Sequence, residues 1–277
     1  MTEELEAPAD EETPPDEETP ADEETPSDEV DAYRMTLLEH LTELRDRLIR
    51  GFIGVAICLG LTLPFGGELY ELLAAPAAPH FPEGSSFIFT KPAEKFIVDI
   101  KVSLFAALLL ALPVLFYQAW QFIAPGLYKR ERTLVLPFVF FSTVFFAAGA
   151  TFCYMTVLPW AMHFFLGFGN DTVLPQITVT EYLSFATRII FAFGTVFQLP
   201  LAIFFLSRVG IVTAAGLARA RRFAIPCIFL VSALLTPPDV VTQIALGLPL
   251  ILLYEIGILT ARVWGKPKPG TEIEKVD

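Results

Sequence analysis

Two carboxylates beside apolar stretches are the side chains of this sequence best suited to binding chemistry. Glu43 lies in segment 40–48, directly before the first strongly apolar stretch, and Glu131 lies in a basic segment between the second and third stretches. A carboxylate at the edge of an apolar layer attracts a cation more strongly than it does in bulk water, because its surroundings screen charge less. One interpretation is therefore a pair of acceptors for a cationic ligand at one membrane face.

Each carboxylate also has an ordinary structural explanation. Four leucines between Leu37 and Leu48 recur at helical spacing, so the first segment can be an interfacial helix. In such a helix the pair Glu43–Arg47 would contribute only a few tenths of a kcal/mol. Glu131 stands among three bases, and it can equally be a neutralised acid in a cytoplasmic loop.

Six apolar stretches define the elements that must position these residues, since a helix that crosses a bilayer needs roughly 20 apolar residues. They fall at about 48–65, 97–123, 134–168, 189–206, 223–235 and 240–263. Six crossings put both termini on one side of the membrane, and that side carries fifteen of the 19 Lys and Arg residues. Because positive charge accumulates in cytoplasmic loops, both termini are predicted to be cytoplasmic.

The pattern predicts an all-α membrane protein with six transmembrane helices, several of them bent or tilted. The third stretch exceeds the thickness of a bilayer and should tilt or bend near Pro159. The fifth stretch is short, and the tight turn 236–239 joins it to the sixth as a short helical hairpin. Prolines inside the stretches free backbone carbonyls, so the helices are expected to bend and pack against one another.

Two segments on the opposite side carry further structural signals. Segment 66–94 is long, and its aromatic residues Phe81, Phe87 and Phe89 predict that it packs on the ends of the helices. Thr178, with an acidic residue three positions later, predicts the N-terminus of a helix.

Composition divides the chain into an N-terminal tail (1–33), a membrane domain (34–265) and a cytoplasmic C-terminal tail (266–277). The formal net charge is -12, yet 15 of the 31 acidic residues lie in the first 31 positions, which contain no Lys or Arg. There the hexapeptide DEETPx repeats three times, which predicts disorder. The tail is either a solvating extension or an acidic arm for basic partners, and it does not resemble a secretory signal peptide.

The sequence also favours binding over catalysis. The three Cys and three His residues fit no metal-ligand spacing, and nucleotide-binding and hydrolase motifs are missing. We therefore expect no enzyme activity, no catalytic residue, no metal, no cofactor and no nucleic-acid partner. A secondary transporter of a small solute is the alternative, although charge within the stretches is sparse and no inverted repeat is evident. An intramembrane protease would need a histidine near Ser142 or Ser184, and none is evident.

Five short segments resemble the TatC family, the multispanning receptor subunit of the twin-arginine protein translocase. They are HLTELRDRL at 40–48, FIAPGLYKRER at 122–132, YLSF at 182–185, FQLP at 197–200 and LTPPD at 235–239. The segments occur in the order of the family, and the resemblance covers roughly residues 35–264.

The resemblance implies a receptor in the bacterial cytoplasmic membrane for folded preproteins that carry twin-arginine signal peptides. It also implies assembly with single-span subunits of the TatA and TatB type, self-association in a larger complex, contact with the lipid bilayer and dependence on the proton gradient. The signal-binding glutamates of the family correspond to Glu43 and Glu131. The same two segments supply the other residues expected at this site, which are His40, Arg45, Phe122, Pro125, Tyr128 and Lys129.

Polar residues of the last three stretches are the candidates for contact with partner helices. Gln198 stands where many relatives carry Glu, so a proton-relay role is not assigned to it, and it can equally be a helix-packing amide. Asp239 can equally be the N-cap of the sixth helix. The resemblance places partner subunits at the fifth/sixth hairpin, which makes four residues candidate contacts: Gln198, Thr236, Asp239 and Gln243.

Overall fold

A computed structural model of the chain describes residues 37–82, 85–123, 135–167, 176–235 and 240–265. The predictions for both tails, and those for six of the candidate residues, lie outside the described residues. These six residues are Pro125, Tyr128, Lys129, Glu131, Thr236 and Asp239. The chain divides into two units, Met1–Glu43 and Leu44–Asp277, so the boundary falls about two helical turns into the first described helix.

The predicted all-α class is confirmed, and ten α-helices are described. They are α1 (Leu37–Thr62), α2 (Gly66–Ala74), α3 (Glu94–Leu110), α4 (Leu112–Ile123), α5 (Val135–Phe152), α6 (Leu158–Leu166), α7 (Val179–Val196), α8 (Leu199–Val209), α9 (Ala214–Leu235) and α10 (Val240–Trp264). Many large apolar side chains on these helices are exposed, for example Phe52, Leu136 and Leu230. Lipid is the natural environment for such a surface, because soluble proteins rarely expose large contiguous apolar patches.

The number of crossings stays a prediction. Within the described residues, four helical stretches are long and apolar enough to cross a membrane, and the bent pair α3–α4 makes a fifth. The four are Glu39–Ala74, Leu136–Leu166, Val179–Val209 and Leu246–Trp264. Helix α9 is not among them, because basic residues occupy its first half. The cytoplasmic position of both termini likewise stays a prediction.

Helices α7 and α9 begin several residues before the apolar stretches from which they were predicted. The fourth stretch was placed at 189–206, whereas α7 begins at Val179. Thr178 caps this helix as predicted, since its side-chain oxygen accepts a hydrogen bond from the Glu181 backbone N–H at 3.2 Å. The fifth stretch, 223–235, is the second half of the 22-residue helix α9. Polar residues interrupt an apolar stretch without interrupting the helix, because helical hydrogen bonds are made by the backbone.

The bends lie at or beside prolines. The axes of α3 and α4 differ by 52° at a break next to Pro113. The predicted irregularity of the third stretch is the single π-helical turn Cys153–Val157, which directly precedes the helix containing Pro159. A third break separates α7 from α8 just before Pro200. Proline lacks the N–H of the helical ladder and clashes with the preceding turn, which explains these positions.

The packed core consists of two clusters. The larger one gathers buried side chains from α2, α3, α6, α7 and the π-helical turn, among them Val98, Leu158 and Tyr182. The smaller one joins α8 to α10 through Ile203 and Ile258, with α9 side chains packed against it. Helix α1 contributes no residue to either cluster.

Helices α5 and α7 approach each other closely through glycine. A Cβ atom at Gly149 would lie 2.8 Å from the Phe193 carbonyl oxygen and 2.7 Å from Cγ of Phe197. A Cβ atom at Gly194 would lie 2.4 Å from the ring of Phe146. Small residues at a helix crossing let backbones approach, which is how apolar helices associate where burial from water gives no driving force.

The segment before α3 packs onto the N-terminal end of α7. Phe81 and Phe87 pack against the larger cluster as predicted, whereas Phe89 is 62% exposed. The backbones of Ile88 and Thr178 form a parallel bridge. This segment also contains the nine-residue helix α2, which was not predicted.

Glu94 fixes this packing. Its carboxylate is buried and accepts hydrogen bonds from the Thr90 backbone N–H at 2.7 Å, from the Lys91 backbone N–H at 3.3 Å and from the Thr90 hydroxyl at 3.1 Å. It also accepts one from the Thr180 hydroxyl, on α7, at 2.7 Å. One side chain thus satisfies two backbone donors at the start of α3 and links that start to α7.

Glu94→Ala is expected to lower the apparent Tm of the purified protein in detergent by about 5 °C, because two backbone donors lose their acceptor. Glu71→Ala is the matched control, since Glu71 is an exposed helical glutamate in the same region. Thermal unfolding followed by size-exclusion chromatography would compare the two. Equal Tm values for both variants would contradict the assigned role of Glu94.

Candidate binding site

An apolar groove of about 830 Å³ opens between α1, α3, α4 and α7. Its walls are formed mainly by aliphatic and aromatic side chains, including Phe52, Leu104, Phe105 and Leu115. The α1 residues that line it begin at Leu44 and recur every three or four positions, as expected for one face of a helix. Such a groove can hold an extended apolar chain.

A few polar side chains line the groove. Arg47 on α1 is one of them, and its Nη1 donates a hydrogen bond to Gln121 Oε1 on α4 at 2.8 Å, while Gln121 Nε2 donates one to the Tyr117 hydroxyl at 2.6 Å. Lys101 on α3 and Ser184 and Thr187 on α7 also line the groove.

The residues predicted to bind a signal peptide are only partly described. Glu43 and His40 are half-buried on α1 in the first unit. In the second unit, Phe122 lines the groove, whereas Arg45 is exposed and does not. The remaining four residues lie outside the described part of the chain, so the predicted pairing of Glu43 with Glu131 stays a prediction.

The two described candidates for partner contact make hydrogen bonds within the chain. Gln198 Nε2 donates to the Ser142 carbonyl oxygen on α5 at 2.8 Å, and Trp120 Nε1 donates to the Ser142 hydroxyl at 3.0 Å. Gln243 Nε2 donates to the Phe229 carbonyl oxygen on α9 at 3.0 Å. Both amides therefore join neighbouring helices, which agrees with the helix-packing interpretation and leaves contact with a partner untested.

Several polar groups inside the helices were not predicted to have a role. The Arg221 guanidinium on α9 forms an ion pair with the Glu255 carboxylate on α10 at 2.7 Å. A carboxylate inside the last apolar stretch is itself a signal of a specific partner, and it could have been recognised from the sequence. Lys101 on α3 and Arg188 on α7 were counted only among the four basic residues on the side opposite the termini. Within the described residues, no group of three or more His, Cys, Asp or Glu side chains could hold a metal ion.

Comparisons of the sequence and of the structure with known proteins point to the same protein family. The family profile described as Sec-independent protein translocase protein (TatC) matches residues 39–249. A Sec-independent protein translocase protein TatC from Desulforapulum autotrophicum is 46% identical over 239 residues, which is 86% of this chain and 88% of the relative. The TatC protein of Magnetococcus marinus is 43% identical over 226 residues, covering 82% and 83% of the two chains.

Two crystal structures of a twin-arginine translocase receptor TatC share the fold. One has a TM-score of 0.72 at 38% identity and covers 81% of this chain and 98% of the solved chain. The other, solved in the detergent DDM, has a TM-score of 0.74 at 37% identity and covers 83% of this chain and all of the solved one. On the match over residues 39–249 and these identities, the chain belongs to the TatC family and is a membrane component of the twin-arginine protein translocase.

Proposed function

We propose that this chain is the receptor that binds twin-arginine signal peptides of folded preproteins and nucleates assembly of the translocation complex. The observation that carries the proposal is the family match across residues 39–249, which includes both segments that bear the carboxylates. The protein would act without catalysis of its own in a bacterial cytoplasmic membrane, with both termini cytoplasmic and with the proton gradient as the source of energy. Family membership leaves the solute-transporter alternative without support.

Glu43 and Glu131 are proposed to accept the two arginines of the signal peptide. A guanidinium is planar and permanently charged, so a carboxylate can bind it through two parallel hydrogen bonds. Lysine presents a single ammonium group and cannot reproduce this geometry. Two arginines need two acceptors, and the two segments supply one each. His40, Arg45, Phe122, Pro125, Tyr128 and Lys129 would form the surroundings of this pair.

The proposed partners are single-span subunits of the TatA and TatB type and further copies of this chain. Gln198, Thr236, Asp239 and Gln243 are proposed to face the partner helices. An amide that already donates one hydrogen bond to a carbonyl, as Gln198 does, keeps a second N–H and its own carbonyl oxygen for another contact.

Export of a folded reporter tests the function directly. Cells that lack their own receptor would receive this chain together with its cognate single-span subunits and a fluorescent protein carrying a twin-arginine signal. We expect export to be restored, and we expect a twin-lysine signal to reduce it at least about tenfold, because the bidentate hydrogen bonds are lost. Equal export of both reporters, or none of either while the chain is present in the membrane, would overturn the proposal.

A further inference from the structure

Two cations lie within apolar helices at some distance from the helix ends. Lys101 is seven residues after Glu94, which corresponds to roughly 10 Å along α3 at 1.5 Å per residue. Arg188 is nine residues after Val179, or roughly 14 Å along α7. Both helices belong to stretches apolar enough to cross a membrane, and both side chains are exposed.

The two cations border the same short part of α7. Lys101 lines the apolar groove together with Ser184 and Thr187. Arg188 lines an adjoining cavity of about 430 Å³ that shares these two residues. The two cavities also share Phe105 and Leu108 of α3, so both cations are close to the packed contact between the two helices.

No described carboxylate lies within 4.0 Å of either cation, whereas two other cations of the described helices are paired. Lys95 pairs with Asp99 on α3, and Arg221 pairs with Glu255. The two hydroxyl groups beside the cations donate to their own helix, Ser184 to the Thr180 carbonyl and Thr187 to the Leu183 carbonyl, each at 2.7 Å. Lys101 and Arg188 therefore supply the charged donors of this site.

An exposed cation in an apolar layer is costly unless an anion accompanies it. Long basic side chains lower that cost by extending their charge toward the headgroup region while their methylene stems stay in the apolar layer. The anion that lies there in a bilayer is the phosphate of a phospholipid. The groove next to Lys101 is apolar over most of its length, and its volume lies within the range of about 300–1,000 Å³ that is typical of sites for small ligands.

We propose that Lys101 and Arg188 bind the phosphate of an anionic phospholipid whose acyl chains lie in the groove along Leu104, Phe105 and Leu108. The two cations match a headgroup with net negative charge and discriminate against a zwitterionic one, because choline adds a positive charge beside them. Neither cation belongs to the proposed pair of arginine acceptors, Glu43 and Glu131, and the site needs no signal peptide to be occupied.

Native mass spectrometry of the purified full-length protein tests the site, with phosphatidylglycerol and phosphatidylcholine offered at equal concentration. We expect phosphatidylglycerol to be retained preferentially. We expect Lys101→Gln and Arg188→Gln each to reduce its retention about fivefold, and the double variant to reduce it roughly 25-fold. The charge-preserving variant Lys101→Arg/Arg188→Lys should retain the lipid, which separates loss of charge from loss of fold.

Lys95→Gln is the matched control, since it removes the same charge from the same helix and Lys95 does not line the groove. A reduction by Lys95→Gln as large as that by Lys101→Gln would overturn the proposal, as would equal retention of the two lipids. A photo-reactive residue at position 104 identifies the occupant of the groove. A lipid adduct is expected there, and labelling of only a signal peptide or another protein helix would reject the lipid.

Discussion

Gly149→Leu is expected to prevent stable folding of the helical bundle. The new Cβ atom alone would lie 2.8 Å from both the Phe193 carbonyl oxygen and Cβ of Phe197. Neither atom can move without moving the backbone of α7, and Phe193 is fully buried in the larger cluster. Overpacking of this kind costs about 1–3 kcal/mol when side chains can adjust, and more when the backbone must shift.

The second close contact between α5 and α7, at Gly194, is also tightly packed. Phe146, which faces Gly194, is 3% exposed, and its ring contacts the rings of Phe116 and Phe191 at centroid distances of 6.2 and 5.7 Å. The α5 helix therefore cannot slide along α7 to accommodate a side chain at position 149. Local repacking is blocked by the same aromatic contacts that stabilise the crossing.

The measurement is the yield of monodisperse protein and its Tm in detergent. We expect Gly149→Leu to lower the Tm by more than about 10 °C or to leave no monodisperse fraction. Gly60→Leu is the matched control, because a Cβ atom at Gly60 meets nothing within 4 Å and the same gain in helix propensity applies. If the Gly149→Leu protein is as stable as the Gly60→Leu protein, the contact between α5 and α7 is loose enough to accept a leucine side chain, and the close approach at Gly149 is contradicted.

Those parts of the fold that depend on a single physical effect, such as apolar length or the presence of proline, were predictable from the sequence. Apolar length predicted the all-α membrane class. Prolines predicted the irregularities near residues 113, 159 and 200, whereas Pro226 and Pro249 lie inside continuous helices. The starts of α7 and α9 were less predictable from apolar character, because Arg188 and the basic residues of α9 lower hydropathy without opposing helix formation. Capping chemistry located the first of these starts correctly at Thr178.

The sequence predicts which residues are polar or charged, but it does not predict which of them lie next to one another in the structure. The ion pair Arg221–Glu255 joins residues 34 positions apart, and the hydrogen bond from Gln198 to Ser142 joins residues 56 apart. Lys101 and Arg188 are still farther apart in sequence. A single sequence gives the chemical type and helical face of each residue, but the pairing depends on which helices pack together, and tertiary packing decides that.

Glu43→Ala and Glu131→Ala are each expected to weaken binding of a twin-arginine signal peptide about tenfold or more. Each variant loses a hydrogen-bonded ion pair with a guanidinium, which is worth about 1.5–3 kcal/mol. If each carboxylate accepts a different arginine, the two effects should multiply in the double variant. Photo-crosslinking or titration of a labelled peptide with the full-length protein in detergent would measure them, and Glu39→Ala is the matched control one helical turn earlier.

Peptides in which one arginine is replaced by lysine show which of the two carboxylates binds which arginine. In Glu43→Ala, replacing the arginine that Glu43 recognises should cost little further affinity, whereas replacing the other arginine should cost as much as it does in the unchanged protein. Glu131→Ala should show the opposite pattern. Unchanged crosslinking in both alanine variants would reject both carboxylates as acceptors. Equal sensitivity of each variant to both lysine peptides would instead show that the carboxylates act through the overall charge of the surface, because only a direct bidentate contact distinguishes one arginine from its neighbour.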